Sequence, residues 1–290
     1  MNYNELWHLL VHIYDEGEAK AIARMVYDVR FGLSWSDICI GKDTQLSANS
    51  QAELEDFSRR LLKQEPIQYV LGQADFCDRT FLVNEHVLIP RPETEELCRW
   101  ITSQVDSPHV KCGSQRVCPP VRLLDIGTGS GCIAITLAAE LSHAEVTACD
   151  ISAEALTVAE ANAKRHHVQV AFEQLDVLNI PHSSLLHSQF DIIVSNPPYI
   201  CNKERAKMEK NVLEYEPHTA LFVPDDDPLL FYRVIAQYGH TTLKEGGWLY
   251  FEINPLYAQE LCDMLCAMRF CHIEIKEDQY ARQRMIRAQR

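Results

Sequence analysis

The feature that most constrains this chain is an apolar run, VRLLDI over 121–126, which ends in Gly127-Thr128-Gly129-Ser130-Gly131 and resumes as the apolar stretch CIAITLAA. Glycines at alternate positions between a strand pattern and a helix pattern let the backbone adopt left-handed angles, and they let a ligand come close to the main chain. The alternation continues downstream. Residues 145–149 read as a strand ending at Asp150, and Ser152 is the expected N-cap of a helix running to about His166. Further strands are expected over 168–172, 190–195 and 248–253, the last following Gly246 and Gly247, before one more helix and two C-terminal strands. Strands that alternate with helices predict an α/β fold, a Rossmann-like, mostly parallel sheet covered on both faces. Ligands of such sheets bind at the carboxyl ends of the strands.

The region ahead of this sheet differs in period. Over 4–63 the apolar residues recur at helical spacing: Leu6, Leu9, Leu10 and Ile13, then Ala21, Met25 and Val29, with Gly32 and Gly41 as punctuation. Residues 52–62 predict a third amphipathic helix with Leu54, Phe57, Leu61 and Leu62 on one side, stopped by Pro66. Between 69 and 89 the period moves towards two. A hairpin is expected there, with Phe81 and Val83 on one strand, Val87 and Ile89 on the other, and the turn at Asn84 and Glu85. A helix is predicted over 94–105, and SPHVKCGSQRVCPP reads as an exposed loop containing Cys112 and Cys118. The expected organisation is a helical domain over 1–70, a β-hairpin linker over 71–92 and the α/β domain over 93–290.

Composition narrows the function classes. Hydrophobic residues at 47% and charged residues at 23% suit a globular chain with a core rather than a disordered one. No apolar run approaches the ~20 residues that span a bilayer, and the acidic, polar N-terminal stretch does not resemble a signal peptide, so a cytoplasmic protein without a membrane partner is expected. The eleven cysteines include no CxxC pair, and Cys262 and Cys266 stand one helical turn apart. That spacing predicts free thiols rather than a metal site. A net charge of −14 tells against a nucleic-acid partner, because phosphate neutralisation supplies most of such affinity. The short basic runs over 203–210 and 282–290 read as solvated faces.

Three ligands compete for the glycine loop. A dinucleotide would want G-x-G-x-x-G, and the last position here is Cys132. A P-loop would want Gly-Lys-Ser/Thr, which is absent. S-adenosylmethionine carries a ribose and an adenine but no phosphate, and the pattern D-x-G-x-G-x-G from Asp125 to Gly131 suits it best. Asp150, about 20 residues beyond the loop, stands where a carboxylate accepts hydrogen bonds from ribose hydroxyls. Asp176 follows the third strand, beside the expected position of the adenine.

After the strand FDIIVS comes Asn196-Pro197-Pro198-Tyr199. Two prolines cannot continue a buried strand, since they lack the donors a ladder needs, and they hold Asn196 extended. The result is a stiff turn at a strand's carboxyl end. An amide or ring-amine nitrogen delocalises its lone pair and is a poor nucleophile. If the side-chain oxygen of Asn196 and the main-chain oxygen of Pro197 accept its two hydrogens, the lone pair can be aimed at a methyl group and developing positive charge is stabilised. Tyr199 can stack on the planar substrate group, and no strong base is required.

The stretches EPIQYVLG, VLIPRPETEEL, LLDIGTGSGCIAI, FDIIVSNPPYI, EPHTAL and GGWLYFEI resemble the PrmC (HemK) family of release-factor glutamine methyltransferases over nearly the whole chain. IPRPETE is the most specific of them. The resemblance implies a class I methyltransferase domain preceded by a helical domain that helps to dock the substrate protein. It implies S-adenosylmethionine as cofactor, S-adenosylhomocysteine as product, and class 1 peptide chain release factors as partners, methylated at the glutamine of a GGQ motif. Carried over by motif, Asp125, Gly127, Thr128, Gly129, Ser130, Gly131 and Asp150 would hold the cofactor, Asp176 and Val177 would border the adenine, and Asn196 would face cofactor and substrate alike. Asn196, Pro197 and Tyr199 would be catalytic, with Pro198 completing the glutamine site. Arg91 and Glu93 are expected at the substrate entrance, or else at a helix N-terminus on the surface. Two departures from the family pattern are Asn254, where FEI is normally followed by glycine, and the run DDDP before Leu229. Rival readings are a DNA adenine methyltransferase, opposed by the charge and the lack of an inserted recognition domain, a ribosomal-protein glutamine methyltransferase using the same pocket, and a cofactor-binding module without catalysis.

Overall fold

The computed structural model describes residues 1–105, 119–182 and 188–290. Most of the expected loop over 107–120, including Cys112 and Cys118, lies outside the described residues. The chain forms two compact units: Met1–Gln73 with Glu209–Tyr215, and Ala74–Met208 with Glu216–Arg290. Residues 209–215, which the sequence reading keeps with 93–290, thus fall in the first unit.

The first unit is helical: α1 (Tyr3–Leu10), α2 (Glu16–Met25), a π-helical turn (Val26–Arg30), α3 (Trp35–Cys39), α4 (Ala48–Leu61) and α5 (Ile67–Leu71). Side-chain caps start the first four helices, from Asn2, Asp15, Ser34 and Ser47, each satisfying an N–H that the first turn leaves unpaired. The core takes Leu6 and Leu10 from α1 and Leu54, Phe57 and Leu61 from α4. Two expectations fail here. Ile13 is exposed, and the buried side of α2 is Ala19, Ile22 and Ala23, continued by Val26 and Tyr27, while Met25 and Val29 face outward. Ala21 is exposed as well, so the whole stripe at i, i+4 spacing lies on the outward face already within α2, ahead of the π-helical turn.

The second unit opens with a hairpin, β1 (Gln73–Phe76) and β2 (Arg79–Leu82). The chain does turn after Asn84, where Val87 N–H donates to Asn84 O at 3.1 Å, but no hairpin forms around that turn: the hairpin reverses at Cys77 and Asp78, which have φ of 47° and 58°. Two consecutive left-handed residues match the twist of the flanking strands. Neither is the glycine or asparagine that normally signals such a turn. Val83, Val87 and Ile89 are buried, but none of them belongs to a strand.

The unit continues through α6 (Pro92–Val105), β3 (Val121–Ile126), α7 (Cys132–Glu140), β4 (Ala144–Asp150), α8 (Ala153–Arg165), β5 (Val170–Gln174) and β6 (Phe190–Ser195). The short β7 (Ile200–Cys201), α9 (Lys210–Tyr215, of the first unit), α10 (His218–Leu221) and β8 (Phe222–Val223) precede α11 (Leu230–Thr242), β9 (Leu243–Glu252), α12 (Ala258–Ala267), β10 (Cys271–Glu277) and β11 (Gln283–Gln289). β5 starts two residues later than expected because His167 takes a left-handed φ of 56° and Val168 N–H closes α8 on Ala163 O. β9 starts earlier than expected: Gly246 and Gly247 lie inside it, in a bulge across which the register with β6 jumps from Phe190↔Leu243 to Ile192↔Trp248.

The sheet runs β10-β11-β9-β6-β3-β4-β5. β9, β6, β3, β4 and β5 are parallel, and β11 is antiparallel to both of its neighbours. Alternate residues feed two cores: Leu123, Ile192 and Val194 pack with α6 and α7, whereas Leu124, Ile126 and Ile193 pack with α11 and α12. The chain runs outward from β3 to β5, then returns to β6 on the other side of β3. That reversal makes the carboxyl ends of β3 and β6 the topological switch point, where such sheets bind ligands.

Candidate active site

Ile126 and Ser195 are register partners, so the glycine loop after β3 and the proline turn after β6 leave the sheet at one level on adjacent strands. Gly127, Gly129 and Gly131 have φ of 74°, 55° and 81°. A Cβ at Gly127 or Gly129 would meet nothing within 4 Å, whereas one at Gly131 would sit 2.7 Å from Ile135 Cδ1 and 3.1 Å from Ala159 Cβ. The first two glycines therefore serve the backbone shape and leave open space above the loop. The third also lets α7 pack against α8.

Two carboxylates fix the loop. Asp125 Oδ2 accepts from Thr128 Oγ1 at 2.6 Å and from Ala134 N–H at 3.2 Å. Burial pushes its carboxyl up to about 7, against the pull of those two hydrogen bonds and with some help from Asp150. Its Oδ1 is buried and accepts no hydrogen bond from the protein. Asp150 accepts from Gly129 N–H at 2.8 Å and from Ser152 N–H at 3.0 Å, and burial raises its carboxyl above the ordinary value.

A cavity of about 370 Å³ lies over these strand ends, within the ~300–1,000 Å³ usual for small-molecule sites. Of the residues singled out from sequence, Gly127, Gly129, Asp150, Asp176, Val177, Pro197 and Pro198 line it. Asp125, Thr128, Ser130 and Gly131 lie beneath the loop as its scaffold. The wall is completed by residues not assigned to the site from sequence: Val87 and Leu88 after the hairpin, Thr219 and Phe222 near α10, and Phe231 and Ile235 on α11. Among the described residues no lysine or arginine lines the cavity. This donor set suits a ligand that brings hydroxyls to Asp150 and a flat apolar ring to the wall, without phosphates.

The turn after β6 is anchored from behind. Asn196 Nδ2 donates to Thr94 Oγ1 at 3.3 Å, and Thr94 Oγ1 donates to the buried Glu252 at 2.6 Å. Tyr199 donates its hydroxyl to the other oxygen of Glu252 at 2.9 Å, and burial raises the Tyr199 hydroxyl well above its ordinary value. Asn254 Nδ2 reaches both Tyr199 O at 3.1 Å and Glu204 Oε2 at 3.0 Å. The residue that departs from the family pattern therefore ties down the end of the turn. Asn196 and Tyr199 are not among the residues that line the cavity.

Arg91 and Glu93 divide their roles with neighbours. The Arg91 guanidinium pairs with the buried Glu216, which also accepts from Ile89 N–H at 3.2 Å. The Arg91 carbonyl accepts from Thr94 N–H and Glu95 N–H at the start of α6, and Glu93 is an acidic residue of that first turn. Of this stretch it is Thr94 whose side chain reaches Asn196. Thr94 and Glu252 both lie in stretches visible in the sequence. No local spacing announces that they meet.

A mostly parallel sheet with a glycine loop and a proline turn at its switch point defines a methyltransferase of the Rossmann-like class. Residues 116–216 match the methyltransferase small domain and residues 10–72 the PrmC N-terminal domain. The chain is 45% identical to a release factor glutamine methyltransferase of Bacteroides thetaiotaomicron, covering 97% of this chain and 96% of the relative, and 42% identical to one of Flavobacterium psychrophilum, covering 96% and 94%. It belongs to the release factor glutamine methyltransferase family. In fold it is similar to the human methyltransferase 10 domain containing protein, with a TM-score of 0.52, 16% identity and coverage of 84% of this chain and 98% of that one. Among the described residues no helix is long and apolar enough to cross a membrane, and no group of three or more side chains could hold a metal ion.

Proposed function

We propose that this enzyme transfers a methyl group from S-adenosylmethionine to the side-chain amide nitrogen of the GGQ glutamine in class 1 peptide chain release factors. The observation that carries the reading is the Asn196 carboxamide, held by its NH2 end in a rigid turn level with the glycine loop. When bound, the cofactor supplies an electrophilic methyl on a sulfonium sulfur, with S-adenosylhomocysteine as leaving group. Asp150 holds the ribose hydroxyls, Gly127 and Gly129 admit the ligand to the backbone, and Asp176 and Val177 border the adenine.

Asn196 Oδ1 and Pro197 O accept the two hydrogens of the substrate amide and turn its nitrogen towards the methyl. As the N–CH3 bond forms and the S–CH3 bond breaks, nitrogen becomes cationic, and these two carbonyl dipoles stabilise the charge. The nitrogen then releases one proton to solvent, which restores a neutral amide. Pro197 and Pro198 keep the acceptors fixed, so little reorganisation accompanies the step.

Mass spectrometry of a class 1 release factor incubated with the enzyme and S-adenosylmethionine tests this reading. A single methyl on the GGQ glutamine is expected. An unmodified release factor, alongside normal cofactor binding by titration, would discard the substrate.

A further inference from the structure

Thr94 opens α6 and Glu252 closes β9; both are 2% exposed, and neither lines the cavity. Their hydrogens can be counted. A threonine hydroxyl has one hydrogen, and a carboxylate can only accept. With Thr94 Oγ1 2.6 Å from Glu252 Oε2, that hydrogen is committed to Glu252. Towards Asn196, Thr94 can then offer only a lone pair, and only the NH2 end of a carboxamide can meet it. Oδ1 of Asn196 is thereby turned away from Thr94.

Without the carboxylate the constraint disappears. A hydroxyl free to rotate would accept from the NH2 or donate to Oδ1 equally well, and Asn196 could sit either way round. One orientation offers the substrate amide an acceptor. The other offers it a second donor, which repels it. Tyr199 fills the remaining Glu252 oxygen at 2.9 Å, so one buried carboxylate holds both ends of the Asn196–Tyr199 turn. Burial pushes the Glu252 carboxyl up, an effect opposed by the hydrogen bonds from Thr94 and Tyr199 and by the Arg284 charge, and reinforced by Glu93.

We infer that Thr94 and Glu252 are positioning residues that determine which end of the Asn196 carboxamide faces the substrate amide. This rests on the acceptor role given to Asn196 above. It also gives the IPRPETE and GGWLYFEI stretches a shared purpose, since each contributes one member of a relay that ends on the turn.

The test has two readouts, one of them independent of any release factor. In protein labelled with ¹⁵N at asparagine side chains, the Asn196 NH2 pair is identified by its loss in Asn196→Asp. Its hydrogen exchange is expected to stay slow in Thr94→Ser, which keeps the hydroxyl, and to accelerate in Thr94→Val and in Glu252→Gln. In methyl transfer, Thr94→Val and Glu252→Gln are expected to lose kcat by about ten- to a hundredfold, the scale of a misplaced reacting group. KM for the release factor and the S-adenosylhomocysteine dissociation constant should change little, and Thr94→Ser should retain most of the turnover. A Thr94→Val enzyme with wild-type exchange and wild-type kcat overturns the proposal. Should Glu252→Gln fail to fold, the Thr94 pair decides alone. Should the wild-type enzyme leave the release factor unmodified, the glutamine reading falls while the exchange measurement still reports whether the relay orients Asn196.

Discussion

The loop after β3 and the turn after β6 stand side by side and are stiffened by opposite means. The loop consists of glycines in left-handed conformations, and its restraints come from nearby in sequence: Thr128 on Asp125 three residues away and Gly129 on Asp150 21 residues away. The turn consists of prolines, rigid by covalent structure. Its restraints come from far off, Asn196 on Thr94 at a separation of 102 residues, Tyr199 on Glu252 at 53 and Asn254 on Tyr199 at 55. A site for a ligand common to many enzymes can be built locally. The turn, proposed to hold the acceptor, draws on residues spread across the domain.

Substitutions can break or sharpen this contrast. The largest effect is expected at Asn196→Ala, which should lower turnover by about a hundred- to a thousandfold, the usual loss when a transition-state hydrogen-bonding group is removed. Cofactor affinity by calorimetry should be nearly unchanged, and an equal loss in both would mean that turn and loop are not separate devices.

Next comes Asp125→Asn. Below about pH 4 the carboxyl is protonated in the folded and unfolded chain alike. As pH rises towards 7 the unfolded chain releases its proton while the folded one, held up to about 7 by burial, retains it, so stability falls across that window. The asparagine variant lacks this slope. Urea unfolding from pH 4 to 7 should show the variant gaining on wild type by up to about 4 kcal/mol, and parallel curves would show that the folded carboxyl is not raised.

Gly131→Ala should cost about 2–3 kcal/mol, since it combines a left-handed alanine with a clash against Ile135 and Ala159. The same change at Gly127 should cost only the backbone share, about 1–2 kcal/mol. Thermal melts compare the two, and equal losses would refute the packing role of Gly131. The smallest effect is expected at Asn254→Gly, which restores the family's usual residue. Loss of the bond to Tyr199 O should cost about 1 kcal/mol and raise backbone exchange around Tyr199, while an unchanged exchange pattern would show that Asn254 restrains nothing.

Much of the fold was readable because β3 and β6 are largely apolar runs followed by glycines or prolines that break the strand pattern. Misreadings fell where the chain did something its residues do not advertise. Cys77 and Asp78 turn the hairpin without glycine, and α2 buries Ala19, Ile22 and Ala23 rather than Ala21 and Met25, although both sets have helical spacing. In the site, the glycines, Asp150 and the proline turn announced themselves by local spacing. Thr94, Glu252 and the apolar wall from Val87 to Ile235 did not, because their roles arise only when the sheet brings distant segments together. Arg91 attracted attention as a charge in a specific motif, yet its guanidinium is spent on Glu216.

The pairing of Ile126 with Ser195 has a consequence for how such an enzyme can vary. Everything the chain does between those residues is an excursion that leaves one rung of a ladder and returns to the same rung. Its length does not enter the spacing of the loop and the turn where they leave the sheet, which is the interval between neighbouring strands, about 4.8 Å. Much of the excursion is α7, β4, α8 and β5, so only the loops between them can change length cheaply, at about 0.6 kcal/mol for each doubling of a flexible loop. Insertions or deletions in those connecting loops therefore leave the interval between the two strand ends unchanged.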